Sequence, residues 1–165
     1  MGISIDNAHQ RAVELIPEAF FWSCIDELSP FGSDEGDTAL SEFRNWRKKN
    51  RKTPTLKCLK WVIESVGEIK FREYNSQLLS REKIKAQKED SNFDDQQYIY
   101  TLDISVIATG FAQLVDEGVI EPENKGVIQL AIDRQIIWAE LSESWAYAAE
   151  YISNLKVLAS VLKEA

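Results

Sequence analysis

The chain has 165 residues, of which 44% are hydrophobic and 28% charged, an ordinary composition for a globular protein. This length suits one domain with a substantial core, and the apolar content is too high for a disordered chain. The formal net charge of −8 favours a basic partner. It disfavours nucleic acid or an anionic membrane as a general partner, because an acidic surface repels both.

The basic residues are segregated. Eight of the nineteen Lys and Arg residues fall within residues 44–60, a stretch without Asp or Glu. The remaining positions hold eleven basic residues against twenty-seven acidic ones. The sequence therefore predicts one basic segment within a strongly acidic body, and such a distribution governs which partners are attracted.

Two helices are predicted before residue 30. The first begins at a cap, Asp6 or Asn7, and the second spans residues 17–28, with Pro17 in its first turn. Apolar residues at helical spacing predict a buried stripe on the second helix. Its members are Phe20, Phe21, Cys24, Ile25 and Leu28. Residues 29–33, SPFGS, form a loop because Pro and Gly interrupt the pattern.

Two further helices follow this loop. One opens at Asp34 or Asp37 and ends in the basic run 47–52, which suits the negative end of a helix dipole. The other restarts at residues 53–54, Thr-Pro, and carries apolar residues at three- and four-residue spacing up to Gly67, which we interpret as its C-cap.

The central segment is the least regular part. Residues 76–88 fit an exposed helix, residues 89–97 (EDSNFDDQQ) indicate a loop, and residues 98–102 (YIYTL) fit a short strand or the start of a helix. From Asp103 the apolar spacing predicts another helix that stops at Gly118.

The last segment carries an apolar heptad stripe with one polar member, Arg134. The stripe includes Trp138 and Trp145 and continues to Leu162. One unbroken helix would be about 60 Å long, which is too long for a compact domain of this size. We therefore expect a break at residues 142–144 and two helices that fold back on each other. One long dimerising helix is the alternative.

These patterns together predict a mainly α protein. We expect a compact single-domain helical bundle over residues 1–165, with about six to eight helices. The alternative for residues 96–102 is one short strand pair.

The cysteines and the N-terminus indicate the compartment. Cys24 and Cys58 both lie in apolar helical patterns, and we interpret them as small buried side chains in a reducing environment. The N-terminal residues lack the basic start and apolar run of a secretory signal, and no stretch approaches the length of a transmembrane helix. We expect a cytoplasmic protein without a membrane partner.

The sequence offers little for catalysis. His9 is the only histidine, which removes most nucleophilic triads and any multi-histidine metal site. The carboxylates within residues 26–37 could surround one loop and hold a hard cation, but their spacing is not that of an EF-hand. The simpler interpretation is that the acids at 34–37 cap the following helix. We predict no cofactor, no catalytic residue and no metal site.

The basic segment has two interpretations besides a solvated helix end. It could contact nucleic acid through phosphates, or it could pair with acidic residues of this protein or of a second copy, so a homodimer stays open. The residues concerned are Arg44, Arg47, Lys48, Lys49, Arg51 and Lys52.

Two segments carry a resemblance. Residues 20–39, FFWSCIDELSPFGSDEGDTA, with Phe43 and Trp46 after them, and residues 110–120, GFAQLVDEGVI, are similar to a bacterial family of uncharacterised YfeS-like proteins, associated by name with MolR-type regulators. The resemblance would cover most of the chain. It implies no activity or catalytic residue, and the two segments could mark a shared surface as readily as a shared fold.

The charge pattern therefore leads the functional hypotheses. The first is a non-enzymatic module, of the immunity or antitoxin type, that binds a basic protein such as a toxin domain through an acidic face. The residues assigned to that face are Asp26, Glu27, Asp34, Glu35, Asp37, Asp116 and Glu117. The alternatives are a regulator that contacts nucleic acid through residues 44–60, and a metal-dependent protein using the carboxylates within residues 26–37.

Overall fold

The computed structural model describes residues 2–90 and 97–165, and the described part is a bundle of seven α-helices. The helices are α1 (Gln10–Leu15), α2 (Asp34–Lys49), α3 (Leu56–Gly67), α4 (Arg81–Glu89), α5 (Tyr98–Glu117), α6 (Pro122–Glu140) and α7 (Ala148–Glu164). Short 3₁₀ turns lie at Ile5–Asn7, Ala19–Trp22, Phe71–Glu73 and Ser76–Leu79. The predicted helical bundle is confirmed.

The central helix of the bundle is α5, which contacts α1, α2, α3 and α6. Nearly all of its residues from Leu102 to Val115 are buried. It is long and apolar enough to cross a membrane, but 83% of its most apolar window is buried inside the protein. Packing in the interior accounts for this apolar character.

Contacts near the helix ends show which helices run parallel to α5 and which run antiparallel to it. Arg44 and Arg47 of α2 contact the end of α5, so α2 and α5 run in the same direction and begin at the same end of the bundle. In contrast, Thr55 at the start of α3 contacts Gln113 near the end of α5, so α3 runs the opposite way. Arg134 in the second half of α6 contacts Asp103 near the start of α5, so α6 is also antiparallel to α5.

The predicted break in the C-terminal stripe is confirmed. Helix α6 ends at Glu140 and α7 begins at Ala148, and the two pack against each other. Ser142 helps to end α6, because its hydroxyl donates to the carbonyl of Trp138 at 2.9 Å. Close approach of α5 and α6 requires a small residue at Gly110, where an added Cβ would lie 2.3 Å from Cδ1 of Ile128.

The N-terminal region differs from the prediction. The cap of α1 is His9, whose Nδ1 accepts a hydrogen bond from the Arg11 amide at 3.1 Å, and neither Asp6 nor Asn7 has this role. The predicted helix over residues 17–28 is wrong: only the 3₁₀ turn Ala19–Trp22 forms, and Cys24 and Ile25 are exposed.

Side chains that bond to nearby backbone explain this difference. The Ser23 hydroxyl accepts from the amides of Ile25 and Asp26, at 3.2 and 2.9 Å. The Asp26 carboxylate accepts from the Leu28 amide at 2.9 Å. These local turns replace the helical hydrogen bonds that the apolar spacing alone would favour. Cys24 is therefore no buried hydrophobe, whereas Cys58 is buried as predicted.

Two smaller predictions also change. Gly67 is the last residue of α3 and not its C-cap; the left-handed conformation falls on Glu68, with a φ of 52°. Residues 97–102 hold no strand, because α5 begins at Tyr98. The predicted loop over residues 89–97 falls largely on 91–96, which lie outside the described residues. Within 76–88, Ser80 caps α4 and separates it from a 3₁₀ turn.

Arg11 ties together the end of the bundle where α5 and α7 terminate. Its guanidinium donates to the carbonyls of Gly118 at 2.7 Å, Glu164 at 2.6 Å and Ala165 at 3.1 Å. The negative ends of two helix dipoles meet there, and a cation stabilises such an arrangement.

Candidate partner-binding cleft

A cleft of about 920 Å³ lies at the end of the bundle where α2 and α5 begin. It lies between the loop before α2, the start of α5 and the connection from α6 to α7. Four residues predicted from the sequence line it, namely Asp26, Glu27, Asp34 and Glu35. The parallel arrangement of α2 and α5 brings these carboxylates together with side chains from distant parts of the chain. We call this feature the acidic cleft.

The loop that carries two of the carboxylates is built around tight backbone contacts. Ser29 is buried and its hydroxyl donates to the Asp26 carbonyl at 2.6 Å. An added Cβ at Gly32 would lie 1.9 Å from that same carbonyl oxygen. At Gly36, an added Cβ would lie 1.8 Å from the carbonyl oxygen of Pro30. Only glycine fits at both positions, so the SPFGSDEG segment is required by the local fold.

The next helix turns two carboxylates toward the cleft. Ser33 caps α2, since its hydroxyl accepts from the Gly36 amide at 3.1 Å. Asp34 and Glu35 therefore lie in the first turn, where the helix dipole favours negative charge. None of the four cleft carboxylates forms an ion pair with any described residue. Their charge is available to a partner.

Three aromatic side chains line the same cleft, and we call them the aromatic wall. The rings of Tyr100 and Trp145 each lie 5.7 Å from Trp138, measured between centroids, and all three line the cleft. Tyr151 packs behind them, 5.4 Å from Trp145. The turn after α6 produces this wall by folding Trp145 back onto Trp138. Burial raises the pKa of Tyr100, so its phenol stays neutral at pH 7.

Two apolar side chains at the edge of the cleft are unusually exposed. Ile25 is 84% exposed and Tyr147 is 60% exposed, the highest values for large hydrophobic residues among those described. Both line the cleft. Exposed apolar residues beside a polar rim are typical of a protein interaction site.

One cation lies inside the cleft. Lys88, from the last turn of α4, places its ammonium 4.6 Å from the centre of the Trp138 ring. It also donates to the Trp138 carbonyl at 3.3 Å and to the hydroxyl of Ser142. Partial burial lowers the pKa of Lys88. Sequence reasoning missed this lysine and the aromatic wall, because only tertiary packing joins them to the acidic loop.

The other predicted acids lie elsewhere. Asp37 is exposed on α2 outside the cleft lining, on the side near Gly2. Asp116 and Glu117 lie at the far end of α5, about 24 Å along the helix from Tyr100 at 1.5 Å per residue. The seven predicted residues therefore do not form one continuous face.

The basic segment is partly neutralised within the protein. Arg44 binds Asp116 through two hydrogen bonds of 2.9 Å, and Arg47 binds Glu117 through bonds of 2.7 and 2.8 Å. The Glu117 side chain has a lowered pKa, chiefly because of its hydrogen bond to Arg47. Pairing with the protein's own acidic surface is one of the uses that the sequence suggested for this segment.

The remaining basic residues stay at the surface. Lys48 and Arg51 line a second cavity of about 580 Å³ together with both ion pairs. Lys49 and Lys52 are exposed and do not line it. Nucleic acid binding by this segment stays a prediction that depends on these four side chains.

No metal site is evident among residues 2–90 and 97–165. No group of three or more Asp, Glu, Cys or His side chains in this part is arranged to hold a metal ion.

A buried polar network supports the floor below the aromatic wall. Asp103 and Arg134 are 0% and 4% exposed and form an ion pair at 2.8 Å. Tyr74 donates to Asp103 at 2.6 Å and Gln135 does so at 3.0 Å. Tyr151 donates to Gln135 at 2.6 Å, which links the network to the aromatic wall. The polar position of Arg134 in the heptad stripe was the sequence signal for this network.

The chain is 28% identical over 144 residues to the uncharacterised protein YfeS of Escherichia coli strain K12. The alignment covers 86% of this chain and 55% of that protein. The predicted resemblance to YfeS-like proteins is confirmed. The chain spans about half the length of this curated relative, and the association with MolR-type regulators is not confirmed by it. No protein-family model and no solved structure matches the chain.

The two segments that carry the YfeS resemblance both have structural roles. Gly32 and Gly36 allow the loop beside the cleft to close. In the second segment, Gly110 lies against α6, while Gly118 has a φ of 77° and an added Cβ there would lie 2.3 Å from Nδ1 of His9. The glycines of both segments serve the fold, and the acids of the first segment line the cleft.

Proposed function

We propose that this protein is a non-enzymatic binding module that holds a basic segment of another protein in the acidic cleft. The proposal rests on one observation: carboxylates and exposed apolar side chains line the same cleft. Four carboxylates that form no ion pair with any described residue line the cleft, and the two most exposed large apolar side chains of the described residues, Ile25 and Tyr147, line it as well. A basic peptide with apolar neighbours would complement both.

The distribution of charge supports this choice of partner. The net charge is −8, and two of the arginines nearest the acidic residues of α5 are already paired. The field of the protein would therefore steer a cationic partner toward the cleft and raise its association rate. Long-range steering of this kind weakens as salt is added.

The aromatic wall supports binding by a second route. Trp138, Trp145 and Tyr100 line the cleft together with the four carboxylates, and their rings pack against one another. Tryptophan and tyrosine dominate binding hot spots, and their ring faces attract Lys and Arg side chains. More specifically, we propose that the protein acts in the cytoplasm as an immunity or antitoxin protein whose partner is a basic toxin domain.

Charge reversal at the cleft tests the proposal. Tagged protein is incubated at low salt with lysate of its native cells, and bound proteins and nucleic acids are identified. The cleft variant is Glu27→Lys with Asp34→Lys, and its matched control is Glu123→Lys with Glu164→Lys. Each pair contains one acid in the first turn of a helix, Asp34 in α2 and Glu123 in α6, so the helix-dipole cost at these two positions is similar.

We expect a basic protein to bind the wild type and the control, and to be lost from the cleft variant. Ile25→Ser should weaken the same interaction without changing net charge. Equal retention by all variants would contradict the proposal. Recovery of nucleic acid that depends on Lys49 and Lys52 would favour the alternative role.

A further inference from the structure

The ammonium of Lys88 occupies a site with three kinds of cation ligand. The Trp138 ring supplies a π face at 4.6 Å, and the Trp138 carbonyl and the Ser142 hydroxyl accept hydrogen bonds. The carbonyl belongs to the last turn of α6, where backbone carbonyls lack intrahelical partners and the dipole is negative. These groups together suit a compact ammonium.

Lys88 holds this site without a compensating carboxylate. Among the described residues, no Asp or Glu lies within 4.0 Å of its ammonium, and the side chain is half-buried. Its pKa is lowered by desolvation, which indicates that the charged form has lost hydration there. Release of this side chain into water would recover that hydration.

The element that carries Lys88 is only lightly attached. Helix α4 has nine residues, and Ile84 is its one buried side chain. Lys88 lies in its last turn, so its flexible stem can leave the Trp138 ring while Ile84 stays in place.

We infer that the site over Trp138 is a lysine pocket of the acidic cleft, and that Lys88 fills it until a lysine side chain of the partner takes its place. This inference rests on the proposed function and specifies which group of the basic partner is recognised. The four cleft carboxylates line the same cavity as this pocket and would attract the incoming cation. A molecule in which Lys88 fills the pocket cannot bind the partner's lysine there. The apparent affinity is therefore proportional to the fraction of molecules in which Lys88 has left the pocket.

The inference predicts that removing the competitor strengthens binding. The probe is an acetylated, amidated hexalysine peptide with a fluorescent label, measured by anisotropy at low salt. Lys88→Ala and Lys85→Ala each remove one positive charge from α4, but Lys85 is exposed and does not contact Trp138. We expect Lys88→Ala to bind about three- to tenfold more tightly than Lys85→Ala, in line with the strength of a cation–π contact.

A second substitution tests the location. Ser142→Ala removes one hydrogen-bond acceptor of the pocket together with the hydrogen bond from Ser142 to the Trp138 carbonyl, so the near-UV circular dichroism of the variant is compared with that of the wild type to check the aromatic wall. In the Lys88→Ala background it should reverse part of the gain, because the incoming lysine loses that acceptor. A hexaarginine peptide should gain less from Lys88→Ala than hexalysine does, because a guanidinium can stack on the Trp138 ring but its planar fork cannot point donors at the carbonyl and the hydroxyl as a compact ammonium does.

The outcomes separate this inference from the proposed function. If hexalysine binding depends on Glu27 and Asp34 but Lys88→Ala binds no more tightly than Lys85→Ala, the lysine pocket is wrong and the proposed function stands. If hexalysine binds none of the variants at low salt, the lysine pocket is wrong, and the proposed function is decided separately by the charge-reversal experiment with lysate. A gain specific to Lys88→Ala that Ser142→Ala reduces supports the pocket.

Discussion

The guanidinium of Arg47 on α2 and the carboxylate of Glu117 on α5 face each other in a two-bond ion pair, with nitrogen–oxygen distances of 2.7 and 2.8 Å. The remaining guanidinium nitrogen donates to the carbonyls of Asn50 and Thr53, at 3.1 and 2.7 Å. Arg47 therefore connects the end of α2, the following turn and the end of α5. A residue of the basic segment is part of the framework of the bundle.

The first prediction concerns the stability contributed by Arg47. Arg47→Ala should lower the free energy of unfolding by about 1–3 kcal/mol, because two charged and two carbonyl hydrogen bonds are lost. Lys49→Ala removes an exposed charge from the same helix and should change stability by less than about 0.5 kcal/mol. Urea denaturation measures both. Equal effects of the two substitutions would contradict this assignment.

The second prediction concerns pH. The pKa of Glu117 is lowered from its ordinary value of 4.5, chiefly by the hydrogen bond from Arg47. The stability from this carboxylate is complete above the unfolded-state pKa and is lost as pH falls through the lower folded-state pKa. Glu117→Gln should therefore be less stable than the wild type at pH 7, and the gap should shrink below about pH 4.5. Urea titrations between pH 7 and pH 3 test this. A constant gap would contradict it.

The third prediction concerns the buried pair of Asp103 and Arg134. Asp103→Leu leaves the Arg134 guanidinium buried without its carboxylate and should cost about 3–5 kcal/mol. The double variant with Arg134→Met should be more stable than Asp103→Leu alone, because no unpaired charge remains. Thermal and chemical unfolding compare the two. As a control, Arg81→Ala breaks an exposed pair with Glu140 and should cost less than about 1 kcal/mol.

The fourth prediction concerns glycine. Gly36→Ala should destabilise the protein by about 1–3 kcal/mol, because the new methyl would overlap the Pro30 carbonyl oxygen. Gly126→Ala places the same methyl in open space on α6 and should stabilise it by about 0.5–1 kcal/mol. Melting temperatures with opposite shifts support the tight loop. A neutral Gly36→Ala would mean that the loop relaxes easily.

The fifth prediction concerns the two thiols. Burial raises the pKa of Cys58 to about 12, whereas Cys24 is exposed. A thiol-specific reagent such as DTNB at pH 8 should modify one thiol in the native protein and two in urea. Cys24→Ser should remove the fast reaction, and Cys58→Ser should leave it unchanged. Rapid modification of Cys58 in the native state would contradict its burial.

Helices with both an apolar period and a terminal signal could be predicted from the sequence. Pro122 at the start of α6 and Gly118 after α5 provided such signals. The predicted cap of α2 within residues 34–37 is wrong, because the N-cap is Ser33 and the acids lie in the first turn. Residues 17–28 have apolar residues at helical spacing but form no α-helix. The side chains of Ser23 and Asp26 accept hydrogen bonds from nearby backbone amides instead. Whether these residues form a helix depends on side-chain hydrogen bonds, and the spacing of apolar residues gives no information about them.

Only the residues of the candidate site that are close together in the sequence could be predicted. Asp26, Glu27, Asp34 and Glu35 are close in sequence, so a cluster could be expected before the fold was known. Lys88, Tyr100 and Trp145 reach the cleft from three separate elements, and their approach depends on how α4, α5 and α6 pack. For the same reason, the pairing of Arg47 with Glu117, seventy residues apart, had no local signal.

The hydrogen bonds of Arg11 to Gly118 and Glu164 have a practical consequence for mounting the protein on a sensor. They fix residue 165 beside the end of α5, whereas the cleft lies at its beginning, about 30 Å away along a twenty-residue helix. A tether attached at residue 165 would therefore point the cleft toward the solution. Ligands would reach it without obstruction from the support.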